Sequence, residues 1–358
     1  MLKSVEIKNF RGIKECKVED LALINVFVGE NNSGKSTILD ATFWALKETI
    51  TPSLRDVLTN RVRRNVDRPE LFFNFNEDLE IKVSLHFTSG DQYSFEIKRI
   101  NTEVEAYALD SNRYKISPGS IITIFREKKK DKPETVYCYT WVDTSLNETQ
   151  IGSTVYKPKH RLSQNITEYA KNCELLLSHV TIDKLWDNLD PLLSEVKQDV
   201  KIENDYISRL MNVYNISYFE FLPLPINRTM RLVAFKDRVA RVYGAFQGAG
   251  IQRGAYILAL LETSKNTGLF IEEIETYQHP KALEKLARHM IDLAMKNNVQ
   301  LFITTHSYHD ALRYLYYAVP SEQRDDLFRC YVVERREDGT VQAAIENNIE
   351  KVIKSLYP

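Results

Sequence analysis

A chain of 358 residues with a formal net charge of -1 carries no global field that would draw it onto nucleic acid or an anionic membrane, so any polyanion contact must come from a local patch. Apolar residues at 43% and charged residues at 27% are the balance of a globular protein with a large core, and no run of about 18 apolar residues is present to form a transmembrane helix. The N-terminus enters Leu2-Lys3-Ser4-Val5-Glu6-Ile7 directly, without a signal-peptide core, and Cys16, Cys138, Cys173 and Cys330 form no Cys-x-x-Cys pair. These features predict free thiols in a reducing cytoplasm rather than zinc or disulfides.

In chain order, Val5 to Phe10 alternates as a strand does, and Glu15 to Val18 follows as a second strand. The apolar strand Ile24 to Val28 then runs into Gly29-Glu30-Asn31-Asn32-Ser33-Gly34-Lys35-Ser36-Thr37, which has the Gly-x-x-x-x-Gly-Lys-Ser spacing of a phosphate-binding loop. Gly29 and Gly34 allow the backbone to turn where a side chain would collide with phosphate. The loop amides, from Asn31, Asn32 and Ser33 onward, and the N-terminal end of the following helix attract anions. Lys35 supplies a mobile point charge for the outer phosphates, and the Ser36 hydroxyl suits Mg²⁺. From Thr37 to Leu46 the spacing of Ile38, Leu39, Ala41, Trp44 and Ala45 is helical. Strand, loop and helix in this order predict binding of a nucleoside triphosphate.

Arg55, Arg61, Arg63, Arg64 and Arg68 cluster in the next stretch, with Asp56 and Asp67 among them. This reads either as a solvated face or as a phosphate-contacting patch for DNA near Arg61 to Arg64. A β-rich region follows: Leu79 to Phe87, Tyr93 to Ile100, Val104 to Leu109, Ile121 to Arg126 and Thr135 to Val142, with a solubilising lysine-rich tip at Lys128 to Lys132. From about Leu162 to Leu222 the apolar steps become helical, as in Ile166, Tyr169, Ala170, Cys173, Leu176 and Leu177, and a further helix is predicted around Tyr206 to Tyr214. The organisation expected is residues 1–160 as the first part of a nucleotide domain, 161–224 as a mainly helical insertion, and 225–358 as the returning part.

The returning part carries three further motifs. Gly268 to Ile271 is a short apolar strand ending in Glu272-Glu273-Ile274-Glu275. Carboxylates at the C-terminal end of a strand lie where an open α/β sheet builds its site, which suits Glu272 to hold metal and Glu273 to act as general base on water. Val299 to Thr305 is a second apolar strand, and His306 at its end is suited to bond the γ-phosphate or the attacking water. Phe246-Gln247-Gly248-Ala249-Gly250-Ile251-Gln252-Arg253 opens a helix and makes a second anion-binding N-terminus, which a head-to-tail pair of chains would use on each other's nucleotide.

The opening Ile7-Lys8-Asn9-Phe10-Arg11-Gly12-Ile13, the Gly29 to Thr37 loop, Gly248 to Arg253, Ile271 to Glu275 with His279-Pro280, and Thr304-Thr305-His306-Ser307 together resemble an ABC-type ATPase head of the SMC/RecF-like branch. Within that branch they are most similar to the ATPase domain of the OLD (overcoming lysogenization defect) family. The resemblance implies a P-loop α/β fold of ABC/SMC-head type, a mixed sheet with an antiparallel β layer. It implies ATP and Mg²⁺ as cofactors, sandwiched in a homodimer. It places Gly29 to Thr37 as the Walker A loop and Glu272 at the Walker B metal position beside Ser36. Glu273 falls at the catalytic glutamate, His306 at the switch histidine, and Gly248, Gly250 and Gln252 at the signature positions. Glu272 stands where aspartate is usual, and Gly248 where serine is usual. No room is seen after Val332 to Val341 for the Toprim nuclease domain that OLD proteins append, so nuclease chemistry is expected in a separate partner.

The function expected is therefore a Mg²⁺-dependent ATPase, without a membrane, whose ATP-gated dimerisation regulates a DNA-processing or phage-defence partner. The alternative is an ATP-sensing module with little or no hydrolysis. A third reading, the ATP subunit of a membrane transporter, fits the Asn9-Phe10-Arg11-Gly12 opening less well.

Overall fold

The structure is a computed structural model, and it describes residues 1–48, 71–99, 104–107, 113–116, 121–128, 130, 135–141, 164–178, 189, 191–223, 229–235, 241–243 and 248–355. Its strands are β1 (Leu2–Phe10), β2 (Ile13–Val18), β3 (Ile24–Val28), β4 (Ile81–Phe87), β5 (Gln92–Arg99), β6 (Val104–Tyr107), β7 (Arg113–Ile116), β8 (Ile121–Lys128) and β9 (Thr135–Trp141). They continue with β10 (Glu174–Leu176), β11 (Ile216–Pro223), β12 (Thr229–Phe235), β13 (Arg241–Tyr243), β14 (Gly268–Ile271), β15 (Gln300–Thr305), β16 (Phe328–Arg335) and β17 (Thr340–Ile345). The longer helices are α1 (Lys35–Glu48), α2 (Gln164–Lys171), α3 (Val200–Tyr214), α4 (Ala249–Thr263) and α5 (Pro280–Asn297). Two compact units interleave along the chain. One holds Met1–Leu21, Gly29–Cys173 and Tyr331–Ile345; the other holds Ala22–Val28, Glu174–Cys330 and Glu346–Pro358.

The first unit is an antiparallel layer under a helix. β1 pairs antiparallel with β2 (Val5↔Val18) and with β4 (Ile7↔Val83), and β4, β5, β8 and β9 extend the meander. β17 joins parallel to β2, Thr340 opposite Glu15, and pairs antiparallel with the Tyr331–Arg335 part of β16. The alternation of β4 explains its place: Ile81, Val83, Leu85 and Phe87 are buried, while Lys82, Ser84 and His86 are less so. The expected apolar face of α1 is the face that is buried. Trp44 stacks on Phe10 with centroids 5.7 Å apart and tilts against Phe95 at 5.9 Å. Each such ring contributes about 1.5–3 kcal/mol of burial, which anchors the helix behind the phosphate loop.

The second unit is an α/β layer. β10, β14, β15 and β3 lie parallel in that order. Every residue of β3, β14 and β15 is buried, the near-continuous apolar run of a parallel sheet covered on both faces. Phe270 and Phe302 stack at 4.4 Å across β14 and β15. The one amide in β3, Asn25, is fully satisfied in position: its Nδ2 donates to the Ala22 and Leu301 carbonyls at 2.8 and 3.0 Å, and its Oδ1 accepts from the Ala22 amide at 2.9 Å. α4 is buried almost all round, Gln252 to Glu262 without a break, whereas α5 buries one stripe that includes Leu283, Leu286, Ala287, Met290 and Ile291.

The stretch read as helical from Leu162 to Leu222 holds α2 and α3 but also two strands. Glu174–Leu176 is β10, whose three residues are too short to display an alternation. Ile216–Pro223 is β11, which pairs antiparallel with β12, and β12 with β13, in a separate three-stranded sheet. Asn215 makes the break: it sits in the left-handed region at φ 52, ending α3, and the aromatic run Tyr218-Phe219-Glu220-Phe221 beyond it favours a strand. Cys16, Cys173 and Cys330 are buried and make no disulfide among the described residues; the Cys138 side chain lies outside the described residues. Burial pushes the Cys16 thiol up to about 12, which makes it inert as a nucleophile at neutral pH. Among the described residues no helix is long and apolar enough to cross a membrane.

Candidate functional site

The phosphate loop belongs to the first unit and has the backbone that the glycines predict. Gly29 has φ 152 and Gly34 φ 110. A Cβ on Gly29 would lie 2.4 Å from the Val333 carbonyl oxygen and 3.0 Å from Ser33 Oγ, so glycine is required there by space as well as by torsion. Asn32, at φ 64, takes the left-handed conformation that asparagine tolerates best. Glu30, Asn31 and Asn32 are exposed at the loop tip, Ser33 and Lys35 are buried, and Gly34, Ser36 and Thr37 are half-buried. Lys35 is the first residue of α1 and is 4% exposed. Its Nζ donates to the carbonyls of Gly29 at 2.9 Å and Glu30 at 2.7 Å, so the ammonium is held inside the loop. The first turn of α1 carries no acidic side chain to oppose a phosphate. Behind the loop, Arg11 Nη1 bonds Asp40 Oδ2 at 2.7 Å, with Asp40 1% exposed. That pair fixes the Asn9-Phe10-Arg11-Gly12 opening to α1.

The carboxylates and the histidine belong to the second unit. Ile271 at the end of β14 is level with Ile303, and Thr305 at the end of β15 is level with Val28 at the end of β3. Parallel strands in this register put their C-terminal ends along one sheet edge. Glu272 and Glu273 follow β14 there and His306 follows β15, while the Val28–Gly29 peptide bond continues from β3.

Glu272 is 3% exposed, and its Oε2 accepts from both the backbone N–H and the hydroxyl of Ser178, at 3.1 and 3.2 Å. Glu273 is half-buried in a left-handed turn, φ 47, with its N–H donated to Thr304 Oγ1 at 2.9 Å. Glu273 Oε1 lies 3.3 Å from His306 Nε2, and its Oε2 accepts from Thr276 Oγ1 at 3.3 Å. Glu275 Oε1 accepts from the backbone N–H of His306 at 2.8 Å, which sets the histidine's height above the sheet edge. The side chains of Glu273 and His306 are 35% and 34% exposed, a degree that keeps them within reach of water. A glutamate and a histidine 3.3 Å apart at a strand edge can orient a water and pass its proton. Among the described residues no group of three or more His, Cys, Asp and Glu stands together as a self-sufficient metal cage. The glycine cradle and enclosed ammonium of the first unit fit a triphosphate; Ser36 there, and Glu272 in the second unit, each carry oxygens of the kind Mg²⁺ accepts.

The glycine-opened helix is α4. Gly248 is its N-cap, is exposed, and among the described residues would meet nothing within 4 Å of an added Cβ. Gly250 has a different reason for being glycine: its Cβ would lie 2.4 Å from the Tyr277 carbonyl oxygen. Gln252 departs from the expectation that it faces a second chain. It is 1% exposed, at the start of the stretch of α4 that is buried without a break. The arginines at 55, 61, 63, 64 and 68 lie outside the described residues.

Sequence reasoning missed the supports of this edge: Ser178, which holds Glu272; Thr276 and Thr304, which hold Glu273; and Arg253. The last had a signal, a single arginine at the start of a helix that is apolar from Ala255 to Leu261. Arg253 is 1% exposed, and burial lowers its guanidinium to about 10 against the upward pull of Glu272, Glu273, Glu275 and Tyr277.

Known proteins resemble the chain in sequence and in fold. Residues 4–234 match the family described as "AAA domain", and residues 159–311 match "AAA ATPase domain". An "ATP/GTP phosphatase" of Helicobacter pylori is 20% identical over 329 residues, 86% of this chain and 85% of that protein. The "Old nuclease" of Escherichia phage P2 is 26% identical over 355 residues, 86% of this chain but 56% of its own length. The chain thus spans little more than half of that relative. In three dimensions an Smc head domain of Pyrococcus furiosus, solved with the C-terminal domain of ScpA, is similar at a TM-score of 0.52 and 12% identity, over 99% of this chain and 98% of that one. That likeness establishes an SMC-head P-loop fold: a mixed sheet with antiparallel strands and flanking helices.

Proposed function

We propose, from the premise that this chain belongs to the AAA domain family and is an ATPase head of the SMC/RecF/OLD type, that it binds ATP with Mg²⁺, hydrolyses it, and uses the ATP-bound state to pair with a second copy and regulate a partner. The observation that carries the proposal is the Glu273–His306 pair at the end of two parallel strands, in a chain that also holds a lysine-filled glycine loop.

The roles follow from the side chains. Gly29 and Gly34 keep the loop open to phosphate oxygens, the amides of Asn31, Asn32 and Ser33 and the first turn of α1 from Ser36 to Thr37 donate to them, and Lys35 exchanges its carbonyl partners for the outer phosphates. Ser36 and Glu272 would hold Mg²⁺, which when bound neutralises charge on the phosphates. Glu273 takes a proton from the attacking water, and His306 steadies the carboxylate and the water. Gly248, exposed at the N-cap of α4, offers its partner a helix N-terminus.

The partner proposed is a nuclease or other effector, in DNA processing or phage defence; the relative named a nuclease is the ground for it. DNA is proposed to meet the chain at Arg61 to Arg64. Measuring the size of Glu273→Gln with and without ATP and Mg²⁺ tests the pairing: a dimer only with both is expected, and a monomer throughout removes ATP-gated association. A second reading, a sensor with little turnover, has one observation in its favour. Ser178 already occupies Oε2 of Glu272 with two hydrogen bonds. Equal phosphate release by wild type and Glu273→Gln would select it.

A further inference from the structure

The geometry points to Arg253 as the positioning residue that fixes the Glu272–Glu273 turn and ties it to the first turn of α4. The inference rests on the reading of Glu273 given above, and it adds a group that neither touches nucleotide nor belongs to the phosphate loop.

A guanidinium at 1% exposure is costly unless its donors are used. Arg253 uses them on backbone carbonyls. Nη1 donates to Leu177 O at 2.9 Å, and Nη2 donates to Glu272 O and, at 3.4 Å, to Glu273 O. Nε is buried without a partner, so the side chain's place is set by what the fork reaches rather than by full satisfaction of its donors. The three carbonyls belong to the two segments that shape the acidic edge. Leu177 precedes Ser178, which holds the Glu272 carboxylate; Glu272 and Glu273 are the edge itself. One planar fork therefore sets the end of β10 and the end of β14 at a fixed separation.

The turn needs such a support. Glu273 at φ 47 and Tyr277 at φ 63 are both bulky residues in the left-handed region, a conformation that persists only where the surroundings over-determine it. The far side of the same turn is fastened to α4 as well. Gln278 Nε2 donates to Gly250 O at 2.9 Å, Tyr214 Oη donates to that oxygen at 2.7 Å, and a Cβ on Gly250 would lie only 2.4 Å from the Tyr277 carbonyl oxygen. Arg253 is one turn along the same helix. The residue proposed as general base and the helix start proposed to face a second chain are thus held by one hydrogen-bonded frame, with Arg253 at its centre.

The test compares Arg253→Met and Arg253→Lys with wild type by amide hydrogen exchange and by ATP turnover. The Met variant is expected to speed exchange within residues 269–279 while β1 to β5 keep wild-type protection. Its kcat is expected to fall by roughly 100-fold, the cost of misplacing a reacting group by about 1 Å, with KM for ATP within about twofold. Lysine, which reaches one carbonyl instead of three, is expected to recover part of kcat. Unchanged kcat with an unchanged exchange pattern overturns the assignment, as does faster exchange spread over the whole chain in both variants. If wild type itself releases no phosphate, the proposed hydrolysis fails, and the exchange measurement alone then decides whether Arg253 holds the turn.

Discussion

His306 Nε2 stands 3.3 Å from Glu273 Oε1, and the two residues come from the ends of adjacent parallel strands. Glu273 makes the contact from a left-handed backbone conformation, φ 47. Removing either partner should leave nucleotide binding intact and reduce turnover. Glu273→Gln and His306→Ala are each expected to lower kcat for phosphate release by roughly 100-fold or more, the contribution of a positioned general base. Equilibrium binding of ATP should stay within a few-fold of wild type.

Lys35 behaves differently because its ammonium is enclosed. Lys35→Ala deletes the charge that Gly29 O and Glu30 O hold in place for phosphate. Charge-assisted hydrogen bonds contribute about 1.5–3 kcal/mol each, so ATP affinity should weaken by roughly 100-fold in calorimetric titration. Wild-type affinity in this variant would rule out the loop as the site.

The two glycines of α4 are separable. Gly250→Ala drives a Cβ onto the Tyr277 carbonyl oxygen and should cost about 1–3 kcal/mol in denaturant melts. Among the described residues nothing lies within 4 Å of a Cβ on Gly248, so Gly248→Ser at this N-cap should be neutral or stabilising by a few tenths of a kcal/mol. The reverse ranking would mean that the packing around Tyr277 is not as described.

Glu96 gives a pH dependence. It is desolvated in β5, which alone would raise its carboxyl, but hydrogen bonds from Lys82 at 2.8 Å and Arg126 at 3.0 Å outweigh burial and the net shift is downward. A carboxylate lowered in the folded state stabilises above its unfolded value, near 4, and loses that contribution as pH falls through the folded value. Glu96→Gln should therefore destabilise at pH 7 by about 1–3 kcal/mol, and the gap between variant and wild type should close below about pH 4. A gap that stays constant from pH 7 to pH 3 would count against this network.

Much of the site could be read from the sequence because its parts are local. The glycine loop, α1 and the strands with their terminal Glu272, Glu273 and His306 each show their chemistry within a dozen residues. The alternation of Ile81, Val83, Leu85 and Phe87 was equally plain, since one face of β4 is buried and the other is not. What escaped depended on contacts across the chain. β10 is a strand only because β14 pairs with it, and its Leu176 and the following Leu177 fit a helical step equally well. Gln252 has the composition of a binding residue and the location of a core one, a distinction that helix packing alone decides. Gly250 is glycine because of Tyr277, 27 residues away by number, and no local pattern records that approach.

The interleaving of the two units has a consequence for biogenesis. β2 waits for β17, Glu15 for Thr340, and β3 waits for β15, Ile24 for Leu301. Neither layer closes until most of the polypeptide has left the ribosome. Pairings of such sequence separation slow folding and leave strand margins exposed meanwhile, so nascent chains of this protein should depend on chaperones that shield unpaired strands.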